Sequence, residues 1–514
     1  MSSLLFWILA APAGGALLLL LTPPHMRRTL RWITLGAATA SLGIALAVAG
    51  AYDRVTGGPQ LPFSVPIVPT LGIALDLAVD GWGVPLLLLT ALIAVAGTLA
   101  SWTLNGRDKE FFILLLVLIL GVLGVFIAHD LFVFFLFYEI AVLPMYLLIG
   151  IWGTSHEVPA GGPFRYVWNH FSIGGRQYAA MKLTLMLLVG SALILVAILA
   201  LYDAHGRTTF NLLELQKTDF DESLQIGCFL LLWLGFGTLA GVFPFHTWSP
   251  DGHASAPTAV SMLHAGVLMK LGAFGVMRVG MVLLPEGARF WIPVVGAVAV
   301  VNIVYGALSA LGQSDLKYVI AYSSVSHMGV VMLGAATLTP NGWNGAIYQM
   351  FAHGVMTALL FAMVGLIYER AHTRAIAKMG GFGKVMPGIA AFFTIACLSS
   401  LGLPGTAGFV AELLVFLGAW QGPHPWWALP GILGAFVTAV YALSVARRIF
   451  WGPTPSDEAA DLTDARRTEW GAPILLGAAI LVFGFWPRLA LDFIDSTTVE
   501  HVRALTSTLV AGHP

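Results

Sequence analysis

Five ionisable side chains interrupt apolar stretches of this 514-residue chain. Acids and bases in such surroundings are costly unless they are paired, hydrated or neutralised, so each one is a functional candidate by default. Carboxyl, imidazole and amine groups exchange protons, and a row of them can carry protons through a medium that excludes free ions. These residue types predict proton translocation rather than covalent catalysis. The five are Glu139, Lys270, His327, His353 and Glu412.

Glu139 and Lys270 each lie in an apolar run, LFVFFLFYEIAVLPMYLLIG and SMLHAGVLMKLGAFG respectively. Pro144 follows the glutamate by five residues and leaves the carbonyl of Ile140 without a helical partner, which suits a hydrated carboxylate. A low-dielectric medium favours the neutral amine of a lysine, so Lys270 can exchange protons where a surface lysine cannot. We interpret Lys270 as the central proton site. The alternatives are a glutamate that only joins two helices and a lysine held in a fixed salt bridge.

His327 and His353 lie near the middles of two consecutive apolar runs, and imidazole titrates near physiological pH. They suggest a relay, with structural histidines as the alternative. Glu412 lies seven residues beyond a Gly-Leu-Pro-Gly interruption, where it suits a terminal exit carboxylate or a structural one. His264 precedes Lys270 by six residues, about 120° around a helix from it. We treat His264 as an accessory candidate that does not act on the lysine directly.

The composition indicates the medium that surrounds these groups. Hydrophobic residues make up 58% of the chain and charged residues 10%, with 25 Lys and Arg against 26 Asp and Glu. A soluble protein of this length needs a charged surface, so the medium is lipid, and the balanced charge excludes a basic surface for nucleic acid. Cys228 and Cys397 have no ligand pattern around them, and no phosphate-binding glycine loop occurs. We expect no catalytic, cofactor or metal site in the chain itself.

Apolar runs of membrane-spanning length predict about fourteen helices, so the fold class is an all-α polytopic membrane protein. The first run has no cleavage site and is interpreted as a retained helix, not a signal peptide. Gly/Pro clusters break the seventh run (GVFP, 241–244) and the twelfth (GLPG, 402–405), where Pro404 is expected to leave the carbonyl of Ser400 unpaired. The runs are 4–22, 30–51, 82–104, 111–128, 131–152, 181–202, 225–248, 256–279, 289–312, 317–337, 343–369, 387–422, 427–450 and 470–488.

Two interrupted helices in corresponding places of a membrane chain point to two halves around an ion path. The helices divide accordingly into three N-terminal helices, two five-helix halves, and a last helix with its tail. These units are residues 1–104, 111–279, 289–450 and 470–514.

The distribution of positive charge predicts the orientation. Most of the 25 Lys and Arg fall on the side opposite the two chain ends, so both termini are expected in the periplasm of a bacterial inner membrane. Segments 153–180 and 203–224 are expected as interfacial loops, and the tail 489–514 along the membrane surface.

Long motifs in a fixed order carry a resemblance to a known family. They resemble the antiporter-like subunits of respiratory complex I, an NADH:quinone oxidoreductase, and within that group subunit M. The resemblance covers nearly the whole chain and implies fourteen core helices with two inverted five-helix repeats and broken helices 7 and 12. The motifs are LAVDGWGVPLLLLT (77–90), FPFHTWSPDGHASAPTAVSMLHAGVLMKLGAFG (243–275), QSDLKYVIAYSSVSHMG (313–329), FAHGVMTALLF (351–361) and SSLGLPGTAGFVAELLVFLGA (399–419).

The resemblance also implies roles for the candidate residues. Glu139 resembles the family's fifth-helix glutamate and Lys270 its central lysine. His327 and His353 resemble its connecting histidines, and Glu412 the terminal residue of the twelfth helix. The implied function is a proton-translocating subunit of an enzyme's membrane arm, without a redox site of its own. NADH, FMN, iron–sulfur clusters and quinone are then expected in partner subunits, with L-type and N-type antiporter-like subunits as neighbours in the lipid bilayer.

One position departs from the family. The family carries a seventh-helix lysine seven residues before the histidine of its P-x-H-x-W motif, and Leu239 occupies that position here. Gly241 likewise replaces the proline two residues later. Without the lysine, the ionised form of Glu139 loses its partner, so we expect an altered or uncoupled proton-uptake half-site. His246 is an accessory candidate that substitutes in part for the missing cation.

Two other functions are compatible with these motifs. The large subunits of Mrp-type cation/proton antiporters share the implied fold. A membrane hydrogenase or an ion-coupled uptake complex can also contain a related chain as an adaptor with altered pumping. Leu239 adds weight to the adaptor function, since it removes a charge that the pumping members carry.

Overall fold

The computed structural model describes residues 3–154, 175–453 and 461–511, with side chains to residue 505. Twelve helices within these ranges are long and apolar enough to cross a membrane, which confirms the all-helical polytopic fold. The helices are α1 (Leu4–Leu21), α2 (Arg27–Ala51), α3 (Gly83–Ala100), α4 (Asp108–Ile127), α5 (Leu131–Trp152), α6 (Gly175–Ala204), α7a (Glu222–Ala240), α7b (Trp248–Ser255), α8 (Thr258–Met281), α9 (Pro285–Leu311), α10 (Leu316–Ala336), α11 (Pro340–Ala371), α12a (Pro387–Ser400), α12b (Ala407–Gln421), α13 (Ala428–Phe450), α14 (Gly471–Phe485) and α15 (Arg488–Ala511).

The fourteen predicted runs correspond to these helices once the broken ones are counted together. Helices α12a and α12b are too short to qualify singly, and together they occupy the predicted twelfth run. Helix α14 is too short to cross a membrane by this criterion when taken alone. Together with α15, which lies at an angle of 65° to it, it is long and apolar enough. Twelve full helices, the α12a–α12b pair and α14 therefore account for the fourteen runs.

A two-stranded antiparallel hairpin, absent from the sequence-based prediction, connects α2 to α3. Its strands are β1 (Gln60–Val68) and β2 (Ile73–Val79), with Ser64 opposite Asp76. The side-chain amide of Asn211 donates to the Asp76 carboxylate at 3.0 Å, so the hairpin is tied to the segment that follows α6. The hairpin thereby covers one end of the helix bundle and leads directly into Asp80.

Both predicted helix breaks are present. Helix α7a ends at Ala240, where Gly241 adopts a left-handed φ of 75°, and the helix resumes at Trp248. The twelfth helix ends at Ser400, and Gly402 and Gly405 both have positive φ before it resumes. Pro404 lies between the two helices, within the break that the sequence predicts.

Helix α8 lies at the centre of the bundle and is buried along its whole membrane-spanning window. Such burial on all sides explains why its sequence has no polar face. Two of its segments, His264–Leu268 and Val276–Met281, are π-helical, a geometry that is frequent at functional sites. Helices α10 and α11 are almost as fully enclosed.

The predicted interfacial segments have mixed outcomes. Most of 153–180 lies outside the described residues, but residues 175–180 belong to α6 and are not loop. Segment 203–224 is mainly irregular, with one turn of helix at Leu212–Leu215 that the Asn211 side chain caps. The tail forms α15, whose Thr498 hydroxyl accepts a hydrogen bond from the Trp82 indole at 2.9 Å; residues 512–514 lie outside the described part.

Helices α4 and α5 approach each other at Gly121, and this contact should be sensitive to one methyl group. A Cβ at Gly121 would overlap the backbone of Ala141, whereas a Cβ at Gly14 on α1 would meet nothing within 4 Å. We expect Gly121→Ala to lower the free energy of unfolding by about 1–3 kcal/mol through overpacking. Gly14→Ala should leave stability unchanged or raise it by up to about 1 kcal/mol, because alanine has the higher helix propensity. Thermal unfolding in detergent measures both, and equal stability of the two variants would contradict the contact.

Candidate functional site

The Lys270 amine lies inside the helix bundle with no solvent exposure. It is 2.7 Å from Nδ1 of His353 on α11, and it donates to the backbone carbonyl of Ala265 one turn earlier on α8. Among the described ion pairs, none includes Lys270. The amine is therefore held by two hydrogen-bonding partners without a neutralising carboxylate.

A row of polar side chains continues from His353 across α10 to α12b. The rings of His353 and His327 lie 5.2 Å apart between centroids. Nδ1 of His327 is 3.1 Å from the Gln349 amide and 3.6 Å from Oε1 of Glu412, and its Nε2 is 3.1 Å from the Ser400 hydroxyl at the helix break. Four of the five candidate residues thus form one contiguous row.

Glu139 lies apart from this row. Its side chain is half-buried on α5, and the Ser191 hydroxyl of α6 lies beside it. No ion pair among the described residues includes this carboxyl. Leu239, at the position where the family's lysine is expected, is completely buried in the apolar core.

Of the two accessory histidines, only His246 lies at the break of the seventh helix, and His264 lies on α8 beside α7b. His246 lies in the break, with its ring stacked on Phe243 and perpendicular to Tyr305 at 5.0 Å. His264 packs against Trp248 and, at 3.9 Å between centroids, against His253 of α7b. Neither ring nitrogen of His264 has a hydrogen-bond partner among the described residues, and the Lys270 amine contacts His353 of α11 instead.

The row from Lys270 to Glu412 has the chemistry of a proton path. An amine, two imidazoles and a carboxyl group each gain or lose a proton at a nitrogen or oxygen without any change to the carbon framework. Neutral imidazole is a donor at one nitrogen and an acceptor at the other, so it can take up a proton on one side and release one on the other. No group of three or more His, Cys, Asp or Glu that could hold a metal occurs in the described ranges.

The chain is similar to known proteins over nearly its whole length. The family described as "NADH:quinone oxidoreductase/Mrp antiporter, TM" matches residues 128–438, which contain the whole row. The chain belongs to this family. The chain is 39% identical over 508 residues to "NAD(P)H-quinone oxidoreductase chain 4 1" of Synechococcus elongatus, covering 98% of the present chain and 92% of the relative.

Two solved structures share the fold of this family member. A chain of respiratory complex I from Thermus thermophilus with bound NADH superposes with a TM-score of 0.85 at 30% identity, covering 97% of this chain and 99% of that one. A chain of the Mrp complex from Dietzia sp. DQ12-45-1b gives a TM-score of 0.84 at 20% identity, covering 99% and 98%. The second likeness concerns the fold alone.

Two further cation pairs of this antiporter-like chain were missed by the sequence analysis. Lys182 of α6 pairs with Asp251 of α7b at 2.7 Å, and the Tyr318 hydroxyl donates to the other carboxylate oxygen at 2.9 Å. Arg374 pairs with Asp315 at 3.3 Å. These residues lie in the first or last turns of predicted spans or just outside them, and they were therefore assigned to loops. These residues are half-buried, a property that a hydropathy window does not detect.

A third missed group joins α8 to two connecting segments at the other end of the bundle. Arg278 of α8 is 2.6 Å from the carboxylate of Asp80 and 2.5 Å from Nε2 of His129. Burial by itself would raise the pKa of Asp80, but Arg278 and the Gly83 N–H outweigh it and hold this pKa below its usual range. Burial, followed by the charge of Arg278, lowers the pKa of His129 to about 3. The His129 ring is therefore neutral, and it accepts from the guanidinium.

The Asp80–Arg278 pair should stabilise the fold only while both partners are present. Removing one partner leaves an uncompensated buried charge, so Arg278→Leu or Asp80→Leu should each lower the free energy of unfolding by about 3–5 kcal/mol. The double variant should lose less than the sum of the two single losses, since neither charge is then left behind. Lys217→Leu, which removes an exposed pair with Glu214, is the control and should change stability by less than about 1 kcal/mol. Thermal unfolding tests this, and additive losses would contradict a mutual pair.

Proposed function

We propose that the chain is the M-type, proton-translocating membrane-arm subunit of a complex I type NAD(P)H:quinone oxidoreductase. The observation that carries the proposal is the buried row that leads from Lys270 through His353 and His327 to Glu412. Buried ionisable groups are retained in a membrane protein where they transfer charge. The name of the Synechococcus relative, a chain 4 of such an enzyme, supports the same assignment.

In this function the redox chemistry takes place in other subunits. NADH, FMN, iron–sulfur clusters and quinone bind to those partners, and L-type and N-type subunits flank this one. Their conformational and electrostatic changes alter the proton affinity of Lys270, which passes its proton to His353 and onward. His327, held between the Ser400 hydroxyl and Glu412, transfers it to the carboxyl group at the end of the row.

The arrangement of the chain follows from the same proposal. Both termini face the periplasm of a multi-pass bacterial membrane protein. Residues 111–279 and 289–450 form the two antiporter-like halves, and residues 1–104 and 470–514 flank them. The central lysine belongs to the first half and the three other members of the row to the second half, so the row connects the halves.

A second candidate function rests on Leu239. Because a buried leucine replaces the cation expected near Glu139, the first half lacks one charge that pumping relatives carry. A complex in which this copy is an adaptor, with altered pumping, is compatible with that loss. Recovery of the tagged chain with NADH-oxidising and quinone-binding subunits supports the first function, and recovery without a peripheral redox arm favours an Mrp-type or adaptor function.

Replacement of the central lysine gives the most direct test of translocation. We expect Lys270→Met to slow proton uptake in proteoliposomes about 10²-fold or more, because a group that exchanges protons is removed. Quinone reduction in the presence of an uncoupler reports whether the complex is still assembled. Lys378→Met, at an exposed lysine, is the control and should pump normally. Pumping at the parental rate by an assembled Lys270→Met complex would rule the proposal out.

The altered uptake half-site can be tested by restoring the lysine. In the parental chain, Glu139→Gln should change the proton-to-electron ratio little, because the carboxyl has no cationic partner among the described residues. In a Leu239→Lys chain, the carboxyl gains a partner, and Glu139→Gln should then lower the ratio. The measurement is proton/electron stoichiometry in proteoliposomes. A large loss from Glu139→Gln in the parental chain would show that the half-site works without the lysine.

A further inference from the structure

A cavity of about 280 Å³ opens at the end of the bundle where α3 ends and α8 and α10 begin. All of its lining residues belong to the described part of the chain. Two of them are cationic, Lys317 and Arg374, and one is acidic, Glu369. The rim carries the hydroxyl groups of Thr103 and Tyr368, whose side chains are exposed. The cavity is therefore polar, larger than a phosphate group, and lined by more positive than negative charge.

The floor of this cavity carries a buried cation. Lys317 is 4% exposed, and its Nζ donates to the backbone carbonyl of Ala256 at 2.7 Å. An ammonium group has three N–H donors, and this carbonyl is the acceptor that the described residues supply. Among the ion pairs of the described ranges, none includes Lys317. A buried charge without a counter-charge is costly, so a group in the cavity that offers oxygen acceptors and negative charge would be stabilised there.

The two nearest acidic side chains have other partners. The carboxylate of Asp315 accepts from the backbone N–H of Lys317 at 2.8 Å and pairs with Arg374 at 3.3 Å. Oε1 of Glu369, on the rim, is 3.5 Å from the Thr103 hydroxyl. Neither carboxylate forms an ion pair with the Lys317 ammonium in the described part of the chain. The positive charge at the floor is therefore not neutralised by these acids.

The start of α8 adds backbone donors to the same cavity. Pro257, Thr258 and Ala259 line it, and no side chain caps the helix at Pro257. The first N–H groups of a helix have no partner within the helix, and the partial positive charge at this end attracts anions. Phosphate groups bind at helix starts for this reason. The Lys317 ammonium and the start of α8 therefore line one cavity and favour the same kind of ligand.

We propose that this cavity binds a phosphate-bearing anion, held by the Lys317 ammonium and the first N–H groups of α8. The anion supplies the counter-charge that Lys317 lacks among the described residues. Because the ammonium belongs to α10 and the N–H groups to α8, a bound anion joins the starts of these two enclosed helices. The site goes beyond the proposed function, since no proton transfer is assigned to it.

Two sources carry this chemistry: inorganic phosphate in solution and the headgroup of an anionic phospholipid. Phe111 and Trp152 also line the cavity, with their ring centroids 5.5 Å apart. Aromatic side chains are typical of the depth at which a membrane protein meets the lipid headgroups. A headgroup phosphate and free phosphate present the same charged oxygens to Lys317, so the experiment has to separate them.

The experiment detects the anion by its protection of a cysteine at the rim. Thr103→Cys is introduced, the complete complex is placed in phosphatidylcholine nanodiscs, and labelling by a neutral, water-soluble maleimide is timed at increasing concentrations of inorganic phosphate. We expect phosphate to slow labelling to a saturable limit, and sodium chloride of equal ionic strength to have no such effect. Lys378→Cys, exposed and outside the cavity, is the control and should react at one rate throughout. The endogenous Cys228 and Cys397 are buried, which limits background labelling.

A change of lipid distinguishes the two sources. If the headgroup of an anionic lipid fills the cavity, Thr103→Cys should be protected in phosphatidylglycerol nanodiscs without added phosphate. If the occupant is free phosphate, protection should require added phosphate in both lipids. Either pattern supports the site, and the absence of protection under all of these conditions would overturn it.

Variants of the lining charges test the assignment to Lys317. Lys317→Met should raise the phosphate concentration needed for protection about tenfold or more, because a hydrogen bond from a charged donor is lost. Lys317→Arg should retain protection, and Lys378→Met should not change it. Glu369→Gln removes a negative charge from the rim and should lower the required concentration about two- to fivefold. Co-purification of the partner subunits shows that each variant is assembled.

These variants also decide against the proposal if the outcome is different. Protection of an assembled Lys317→Met complex at the parental phosphate concentration would show that the lysine does not bind the anion. If Lys317→Met does not assemble, Glu369→Gln gives the decision, and an unchanged phosphate requirement in that variant would overturn the site.

Discussion

The burial of one amine sets the conditions for the rest of the structure. Lys270 lies at the centre of the bundle, on a helix that is enclosed on every side. An ammonium group there must be hydrogen-bonded or must lose its proton, and both options require neighbours. His353 and the Ala265 carbonyl supply them, and the π-helical turn His264–Leu268 contains that carbonyl. The central helix departs from regular α geometry at the place where the charge has to be accommodated.

The broken helices bring further polar groups to the same depth. Irregular backbone inside a membrane is tolerated where protein surrounds it and satisfies its donors and acceptors. At the first break, the Asn302 side chain accepts from the N–H of Phe243 at 2.7 Å and donates to the Val325 carbonyl at 2.8 Å. At the second break, the helix ends at Ser400, whose hydroxyl is directed at His327. The first break is thereby joined to α9 and α10, and the second break to the row at His327.

Charges at the two ends of the bundle differ in kind from those at its centre. Asp80–Arg278, Lys182–Asp251 and Arg374–Asp315 are close pairs that hold helix ends and connections together. The central residues have imidazole, amide, hydroxyl and backbone carbonyl partners, and among them only His327 approaches a carboxyl group, that of Glu412. This difference separates the residues that fasten the fold from those that can respond to a change elsewhere in an assembly.

Much of the architecture was determined by the sequence alone, and for a physical reason. An apolar run of about 20 residues has the length that a helix needs to cross the lipid, and Gly/Pro clusters interrupt helices. Both the helices and the interruptions at GVFP and GLPG were therefore predictable. An ionisable residue in an apolar run is conspicuous for its cost, which singled out Lys270, His327, His353 and Glu412 before their contacts were known. The resemblance to the antiporter-like family, and not the residue type itself, marked Leu239 as a missing charge.

The tertiary structure alone decided which of these groups meet. Lys270 and His353 are 83 residues apart in the chain, and Arg278 and Asp80 are 198 apart; nothing local encodes such pairings. The β1–β2 hairpin was also unpredictable, because its irregular register lacks a clean alternation of exposed and buried residues. His253 and Lys317 drew no attention in the sequence, since a polar residue near the end of a span looks solvated. Whether it is exposed or lies at the floor of a cavity depends on the helices that pack around it.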